Sequence, residues 1–190
     1  FIATGFDGIY KSENGGESWI RKSNGLTSAK ILCLTMGRND PDILYAGSGD
    51  GKGIFKTQNG GELWMEYNNN IQLECPAYLS PVGNSPDGIS FEKEKSVPQV
   101  YGLFGDIPWT RILDIEIDPA NSENVYVVDD HSGIYVSNHA GESWWLINEG
   151  LNVLNPTSIT ISSDGEILYA GTGSGGVFRM VLGGNKEPMI

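Results

Sequence analysis

The chain has 190 residues, and 24 Asp and Glu residues against 12 Lys and Arg residues give a formal net charge of −12. The length predicts one domain with a buried core. The acidic balance argues against a nucleic acid as partner, and the absence of any run of ~18 apolar residues argues against membrane insertion. The 26 glycines, found among many β-branched and aromatic residues, favour short strands joined by tight turns.

Short apolar runs recur along the chain in the order A, B, C, D, with the first unit lacking run A and the last lacking run D. Run A lies at 31–36, 112–117 and 158–161, run B at 1–3, 43–47, 125–128 and 167–171, run C at 8–10, 53–55, 133–135 and 176–178, and run D at 19–20, 64–65 and 144–147. Gly, Asn, Asp and Pro separate these runs, which predicts fourteen short strands. Four-stranded repeats of roughly 40 to 45 residues are typical of β-propeller blades.

The sequence therefore predicts an all-β fold, a β-propeller of four-stranded antiparallel blades of which about three and a half are present. The blades are expected at 1–26, 31–70, 111–151 and 156–182, followed by a C-terminal tail at 183–190. Because a ring of blades must close, we expect the chain to form part of a longer or multi-chain propeller, so a second propeller portion or another protein is an expected partner.

An eight-residue box recurs between runs C and D, at 12–19, 57–64 and 137–144. Its shared positions are a hydroxyl, a small polar residue or histidine, a glycine and a tryptophan: Ser12, Asn14, Gly16 and Trp19; Thr57, Asn59, Gly61 and Trp64; Ser137, His139, Gly141 and Trp144. The hydroxyl and amide can accept backbone N–H groups, the glycines allow positive φ, and the tryptophan covers the hairpin. A pattern used three times is predicted to be a structural turn.

The box resembles the Asp-box, or BNR repeat, Ser/Thr-x-Asp-x-Gly-x-x-Trp, although Asn14, Asn59 and His139 occupy its Asp position. The chain is similar in this respect to secreted bacterial and archaeal propellers that are sialidase-like or glycosyl-hydrolase-like. The resemblance implies that all boxes lie on the face away from the family's active sites. It also implies an extracytoplasmic location, secreted, periplasmic or at the cell surface, and the start at Phe1 is consistent with processing of a secretory precursor.

Residues 71–109 carry neither a box nor the run C triplet, and their prolines disfavour a central strand. We expect an insertion in an inter-blade crossing on the face opposite the boxes, where long loops on a rigid scaffold usually bind ligands. The candidate binding residues there are Tyr78, Trp109, Arg111, Asp129, Asp130 and His131. A partner protein or a glycan is the expected ligand, and packing of these aromatic residues onto the blades is the alternative.

The function predicted from these features is a non-enzymatic binding or scaffold module. The alternative is a glycoside hydrolase, sialidase-like or endoglucanase-like, whose catalytic groups lie partly in a missing N-terminal portion. Repeat positions do not bring together the three arginines that a sialidase needs, and they give no reason to pair two carboxyls. No catalytic residue, metal site or cofactor is predicted. Asp114 is either a channel-lining or a buried structural acid, and pairing of Cys33 with Cys75 stays open.

Overall fold

A computed structural model describes residues 1–69, 111–148, 151 and 155–182. Within these ranges all regular structure is β: fourteen strands form four antiparallel sheets, which confirms the predicted all-β class. None of the described residues forms a helix long and apolar enough to cross a membrane. The predicted insertion at 71–109, with Tyr78 and Trp109, lies outside the described residues, as do Cys75 and the tail.

The first two sheets contain seven strands. Sheet 1 consists of β1 (Ile2–Thr4), β2 (Gly8–Lys11) and β3 (Ile20–Arg21), and sheet 2 of β4 (Ile31–Met36), β5 (Leu44–Ser48), β6 (Ile54–Thr57) and β7 (Met65–Glu66). In each sheet, every strand pairs antiparallel with the next strand along the chain. Both sheets are therefore simple meanders that need only short turns between strands.

The other two sheets repeat this arrangement. Sheet 3 consists of β8 (Ile112–Ile117), β9 (Val125–Asp129), β10 (Gly133–Ser137) and β11 (Trp145–Leu146), and sheet 4 of β12 (Pro156–Ile161), β13 (Ile167–Thr172) and β14 (Gly176–Val181). β4 packs against β1 and β8, and β12 packs against β8, so consecutive sheets stand face to face around their inner strands.

The core is divided among the three interfaces between consecutive sheets. In β5, Leu44 and Ala46 pack against sheet 1, whereas Tyr45 packs against sheet 3. In β9, Val125 and Val127 belong to the interface with sheet 2, whereas the alternate side chains belong to the interface with sheet 4. Because side chains of a strand alternate between its faces, both faces of sheets 2 and 3 are buried and apolar.

The tryptophans of the second and third boxes hold neighbouring sheets together. Trp64 is 1% exposed and donates its indole N–H to the Lys22 carbonyl of sheet 1 at 2.8 Å. Trp144 is equally buried and donates to the Tyr67 carbonyl of sheet 2, also at 2.8 Å. Each of these two tryptophans therefore joins its sheet to the preceding one, a contact that the sequence pattern did not predict. In all three boxes strand D begins one residue after the tryptophan.

Side-chain amides add a second bond at each of these interfaces. Asn24 donates to the Glu62 carbonyl at 3.2 Å, and Asn69 donates to the Glu142 carbonyl at 2.9 Å. Both acceptors belong to the glutamate of the next sheet's box, Glu62 or Glu142, which directly follows Gly61 or Gly141. The repeat thus encodes contacts between sheets as well as within them.

Within each box, the hydroxyl accepts the N–H of the glycine that directly precedes the glutamate. The distances to the hydroxyl oxygen are 2.8 Å from Gly16, 3.1 Å from Gly61 and 2.9 Å from Gly141. In the first two boxes the Asn side chain accepts a further N–H, that of Ser18 or Leu63. The third box has His139 at this position, and its ring lies 5.9 Å from the Trp145 ring, centroid to centroid.

The third box is attached to sheet 2 by different groups. The Ala140 carbonyl accepts hydrogen bonds from the Lys56 ammonium at 2.7 Å and from the Tyr45 hydroxyl at 2.8 Å. Lys56 is 4% exposed, and its ammonium lies 5.2 Å from the Tyr45 ring centroid and 5.0 Å from that of Tyr67. Burial lowers the pKa of Lys56, and Glu142 opposes this shift. These contacts compensate for the Asn that the third box lacks at its Asp position.

Replacing Trp144 by alanine is expected to lower the free energy of unfolding by about 3–5 kcal/mol, because a fully buried aromatic ring and an inter-sheet hydrogen bond are both lost. The matched control is Trp19→Ala in the first box, where the ring is 41% exposed and bonds to Gly16 of its own turn. Urea denaturation followed by circular dichroism measures both changes. Equal losses at the two positions would contradict the inter-sheet role.

A second pair of substitutions tests the backbone of the third box. Ala140 has φ of 50°, and the equivalent Gly60 has φ of 64°. A left-handed backbone costs a residue with a Cβ about 1–2 kcal/mol. We expect Ala140→Gly to raise the free energy of unfolding by up to about 1 kcal/mol, since the greater freedom of glycine in the unfolded chain offsets part of the gain. Gly60→Ala should lower it, because the new Cβ would lie 2.9 Å from Asp42 Oδ1. Changes of the same sign in the two variants would contradict this explanation.

Candidate functional site

The face opposite the boxes is formed by the turns between strands B and C and by the residues that precede strand A. The same backbone hydrogen bond joins them in three sheets: Gly49 to Lys30 at 2.9 Å, Asp130 to Arg111 at 3.1 Å and Gly173 to Asn155 at 3.1 Å. Each bond runs from the N–H of the turn to the carbonyl of the residue before strand A. In sheet 3 this contact places Arg111 beside the turn at 129–132.

Asp130 is the centre of a polar network in sheet 3. Its Oδ1 accepts the Arg111 backbone N–H at 2.8 Å and lies 2.6 Å from His131 Nδ1, while its Oδ2 accepts the Arg111 Nε–H at 2.6 Å. The Asp130 side chain is only 8% exposed, whereas that of Arg111 is 52% exposed. A nearly buried carboxylate therefore fixes an arginine whose outer end faces solvent.

Asp129 lies beneath this network. It is 0% exposed, and its Oδ1 accepts the backbone N–H groups of His131 at 2.9 Å and Ser132 at 2.6 Å. Its Oδ2 has no hydrogen-bond partner of normal geometry, and neither has the hydroxyl of Ser132. Asp129, which was predicted as a binding residue, is fully buried, and its carboxylate supports the turn that carries Asp130 and His131.

The two adjacent aspartates have opposite pKa shifts. Burial raises the pKa of Asp129, and the N–H groups of Ser132 and His131 counteract it only in part. Burial also acts to raise the pKa of Asp130, but hydrogen bonds from the Arg111 N–H, the Arg111 guanidinium and His131 outweigh it, so the pKa is lowered. The charged form of Asp130 is thus the one the site stabilises.

Three groups of this site could supply metal ligands, since atoms of Asp129, Asp130 and His131 lie within 4.8 Å of one another. Asp130, however, already accepts a hydrogen bond from the positively charged guanidinium of Arg111. A divalent ion would have to displace Arg111 and overcome that repulsion. The arrangement suits recognition of an anion or hydrogen-bond acceptor by Arg111 better than coordination of a cation.

Of the six predicted binding residues, the structure brings together Arg111, Asp130 and His131 at the surface with Asp129 below them. The sequence reasoning missed Asn148, which fixes the turn from its other side. Its amide donates to the Ser132 carbonyl at 2.6 Å and its carbonyl accepts the Ile134 N–H at 2.9 Å. The repeat carries the signal for this role, because Ser23 and Asn68 accept the equivalent N–H groups in sheets 1 and 2.

The contacts of Asp114 distinguish between the two roles that the sequence left open for it. Its Oδ1 accepts the N–H of Ile115 at 3.0 Å, and its Oδ2 accepts the N–H of Ile159 in sheet 4 at 2.9 Å. Both oxygens are therefore engaged with backbone groups. Asp114 is a hydrogen-bonded structural acid that joins sheet 3 to sheet 4.

Comparison with known proteins shows similarity in structure rather than in sequence. No family model and no curated protein matches the chain. A GH74 enzyme from Niastella koreensis is 18% identical with a TM-score of 0.56, and the match covers 91% of this chain and 24% of that one. PorZ, a surface component of the type-IX secretion system of Porphyromonas gingivalis, is 14% identical with a TM-score of 0.51, covering 88% and 21%.

The chain thus spans about a quarter of the length of these two proteins. Both are β-propeller proteins, which confirms the predicted β-propeller class. One is an enzyme and the other a component of a secretion system. At these levels of identity the likeness shows the fold alone.

Replacing Asp130 by Asn is expected to lower the free energy of unfolding by about 1–2 kcal/mol at neutral pH, because hydrogen bonds to a charged acceptor are weakened. Since the pKa of Asp130 is lowered by folding, its charge contributes stability above the ordinary value of 3.8, and this contribution is lost as pH falls through the folded-state pKa. The difference between wild type and variant should therefore shrink at acid pH. Urea denaturation at a series of pH values measures it, with the exposed Glu17→Gln as control. A pH-independent difference would contradict the charge-based explanation.

Proposed function

We propose that this chain is a non-enzymatic, extracytoplasmic β-propeller module of the Asp-box class that binds a partner protein through the face opposite the boxes. The observation that carries the proposal is the orientation of Arg111. Its Nε is held by a carboxylate that is 8% exposed, while the terminal nitrogens of its guanidinium hydrogen-bond to no other described residue. These are the donors that recognise carboxylates with two parallel hydrogen bonds.

Asp130 has a positioning role in this proposal. Without it, a half-exposed arginine would sample several rotamers, and fixing one of them on binding would cost entropy. The ion pair and the backbone bond from Arg111 to the same carboxylate hold that rotamer before the partner arrives. His131 faces the other oxygen and completes the polar surface.

The overall charge limits the kind of partner. With a net charge of −12, the chain repels a strongly acidic segment at long range. The proposed partner is therefore a neutral or basic protein segment that places a single carboxylate, such as an acidic side chain or a C-terminus, against Arg111. Such a segment would gain both electrostatic attraction to the chain and a specific contact at the site.

A peptide array with matched members tests the proposal. Each basic peptide is made with a free C-terminal carboxylate, with a C-terminal amide, and with internal Glu replaced by Gln, and binding peptides are measured by calorimetry. We expect Arg111→Gln to weaken binding about tenfold or more, which corresponds to about 1.4 kcal/mol. Arg179→Gln, at an exposed arginine of sheet 4, is the charge-matched control and should leave binding unchanged.

Two outcomes would overturn the proposal. Peptides that bind wild type and Arg111→Gln equally would place the contact elsewhere. Hydrolysis of an oligosaccharide by the purified chain, screened in parallel with a glycan array, would favour the glycoside hydrolase alternative, for which the pairing of two carboxyls would then have to be found.

A further inference from the structure

A cavity of about 330 Å³ lies at the other end of the inner strands, on the box face. Its walls come from the ends of β4, β8 and β12 and from the turns that follow them, so three sheets contribute to it. The volume is at the lower end of the ~300–1,000 Å³ found for small-molecule sites. It is separate from the Arg111 network, which lies at the start of β8.

Two charged side chains line this cavity without a partner of their own. Glu116, on β8, is half-buried, and Arg38 is in the turn after β4. Neither forms a hydrogen bond or ion pair with a described residue. Burial, together with the nearby Asp114, raises the pKa of Glu116, as expected for a carboxylate that lacks a compensating cation.

The second acid of the cavity, Asp118, is already engaged in hydrogen bonds. Asp118 is buried, its Oδ1 accepts the Ala120 N–H at 2.9 Å, and its Oδ2 accepts the Asn124 amide at 2.9 Å. Its carboxylate therefore organises the turn rather than the cavity. The charges open to a ligand are one negative group, Glu116, and one positive group, Arg38.

The remaining walls combine apolar and hydroxyl groups. Met36, Ile117 and Ile161 contribute apolar surface, and Thr35 and Ser122 contribute hydroxyls. A ligand that matches this lining has a cation for Glu116, an anion for Arg38 and an apolar side chain. Guanidinium groups suit carboxylates, and a half-buried carboxylate without a partner suits an ammonium group.

We propose that this cavity binds a small zwitterion, an amino acid with an apolar side chain, whose ammonium group contacts Glu116 and whose carboxylate contacts Arg38. The ligand neutralises both side chains, and its side chain covers the apolar wall. This site differs from the partner surface around Arg111 in its face, its residues and its ligand. An experiment that contradicts one of the two proposals therefore does not contradict the other.

L-leucine is the probe, followed by two-dimensional ¹H–¹⁵N NMR of the unmodified chain. Saturable shifts of amide signals from residues 35–39, 116–119 and 161–163 are expected. Two analogues each remove one charge: 3-methylbutylamine lacks the carboxylate and 4-methylpentanoate lacks the ammonium group. Each should bind about tenfold more weakly or worse than leucine. This comparison requires no substitution and so does not depend on the folding of a variant.

Glu116→Gln and Arg38→Gln provide the second test. Each should weaken leucine binding about tenfold, whereas Glu17→Gln and Arg179→Gln, two exposed positions outside the cavity, should not. Circular dichroism checks the fold of each variant. Absence of saturable shifts with leucine, equal affinity for leucine and both analogues, or binding of D-glucose in its place would each overturn the assignment.

Discussion

The structure depends on one constraint, which is that sheets 2 and 3 each have two apolar faces to cover. A strand such as β9 sends alternate side chains to two different cores, so neither core is complete within a single sheet. The hydrophobic effect therefore stabilises pairs of sheets rather than isolated sheets. Trp64 and Trp144 meet this constraint, because each fills an interface with its ring and pairs its N–H with a carbonyl of the preceding sheet. In repeat proteins in general, each repeat is stabilised by its contacts with the neighbouring repeats.

The hydrogen bonds on the two faces of the molecule differ in whether they join two sheets or stay within one sheet. On the box face, hydrogen bonds such as that from Lys56 to the Ala140 carbonyl join consecutive sheets. On the opposite face, the turn at 129–132 is held within its own sheet by Asp129 and Asn148. A turn secured from below can present Asp130 and Arg111 without relying on a neighbouring sheet. This rigidity is what a preorganised binding surface needs.

Much of the fold could be predicted from the sequence, because apolar runs of period two and Gly-rich turns specify strands locally. The hydrogen-bond acceptor of Trp144 could not be predicted. It is a backbone carbonyl 77 residues away, and every residue carries a backbone carbonyl whatever its side chain. The candidate site around Arg111 could likewise be predicted only in part. Arg111, Asp130 and His131 could be predicted to lie close together because they adjoin strand ends on one face. The opposite pKa shifts of Asp129 and Asp130 depend on which of two adjacent, identical residues points inward, and that required coordinates.

The two proposed sites lie at opposite ends of β8, with Arg111 before its first residue and Glu116 near its last. At ~3.3 Å per residue, the strand separates them by roughly 15–20 Å. Energetic coupling between them would need an element with two alternative arrangements that each ligand favours differently. β8 is instead fixed by its pairing with β9 and by the hydrogen bond that Asp114 accepts from the Ile159 N–H of the next sheet. A strand held in this way favours independent sites, so that the affinity at one end is set by its own side chains.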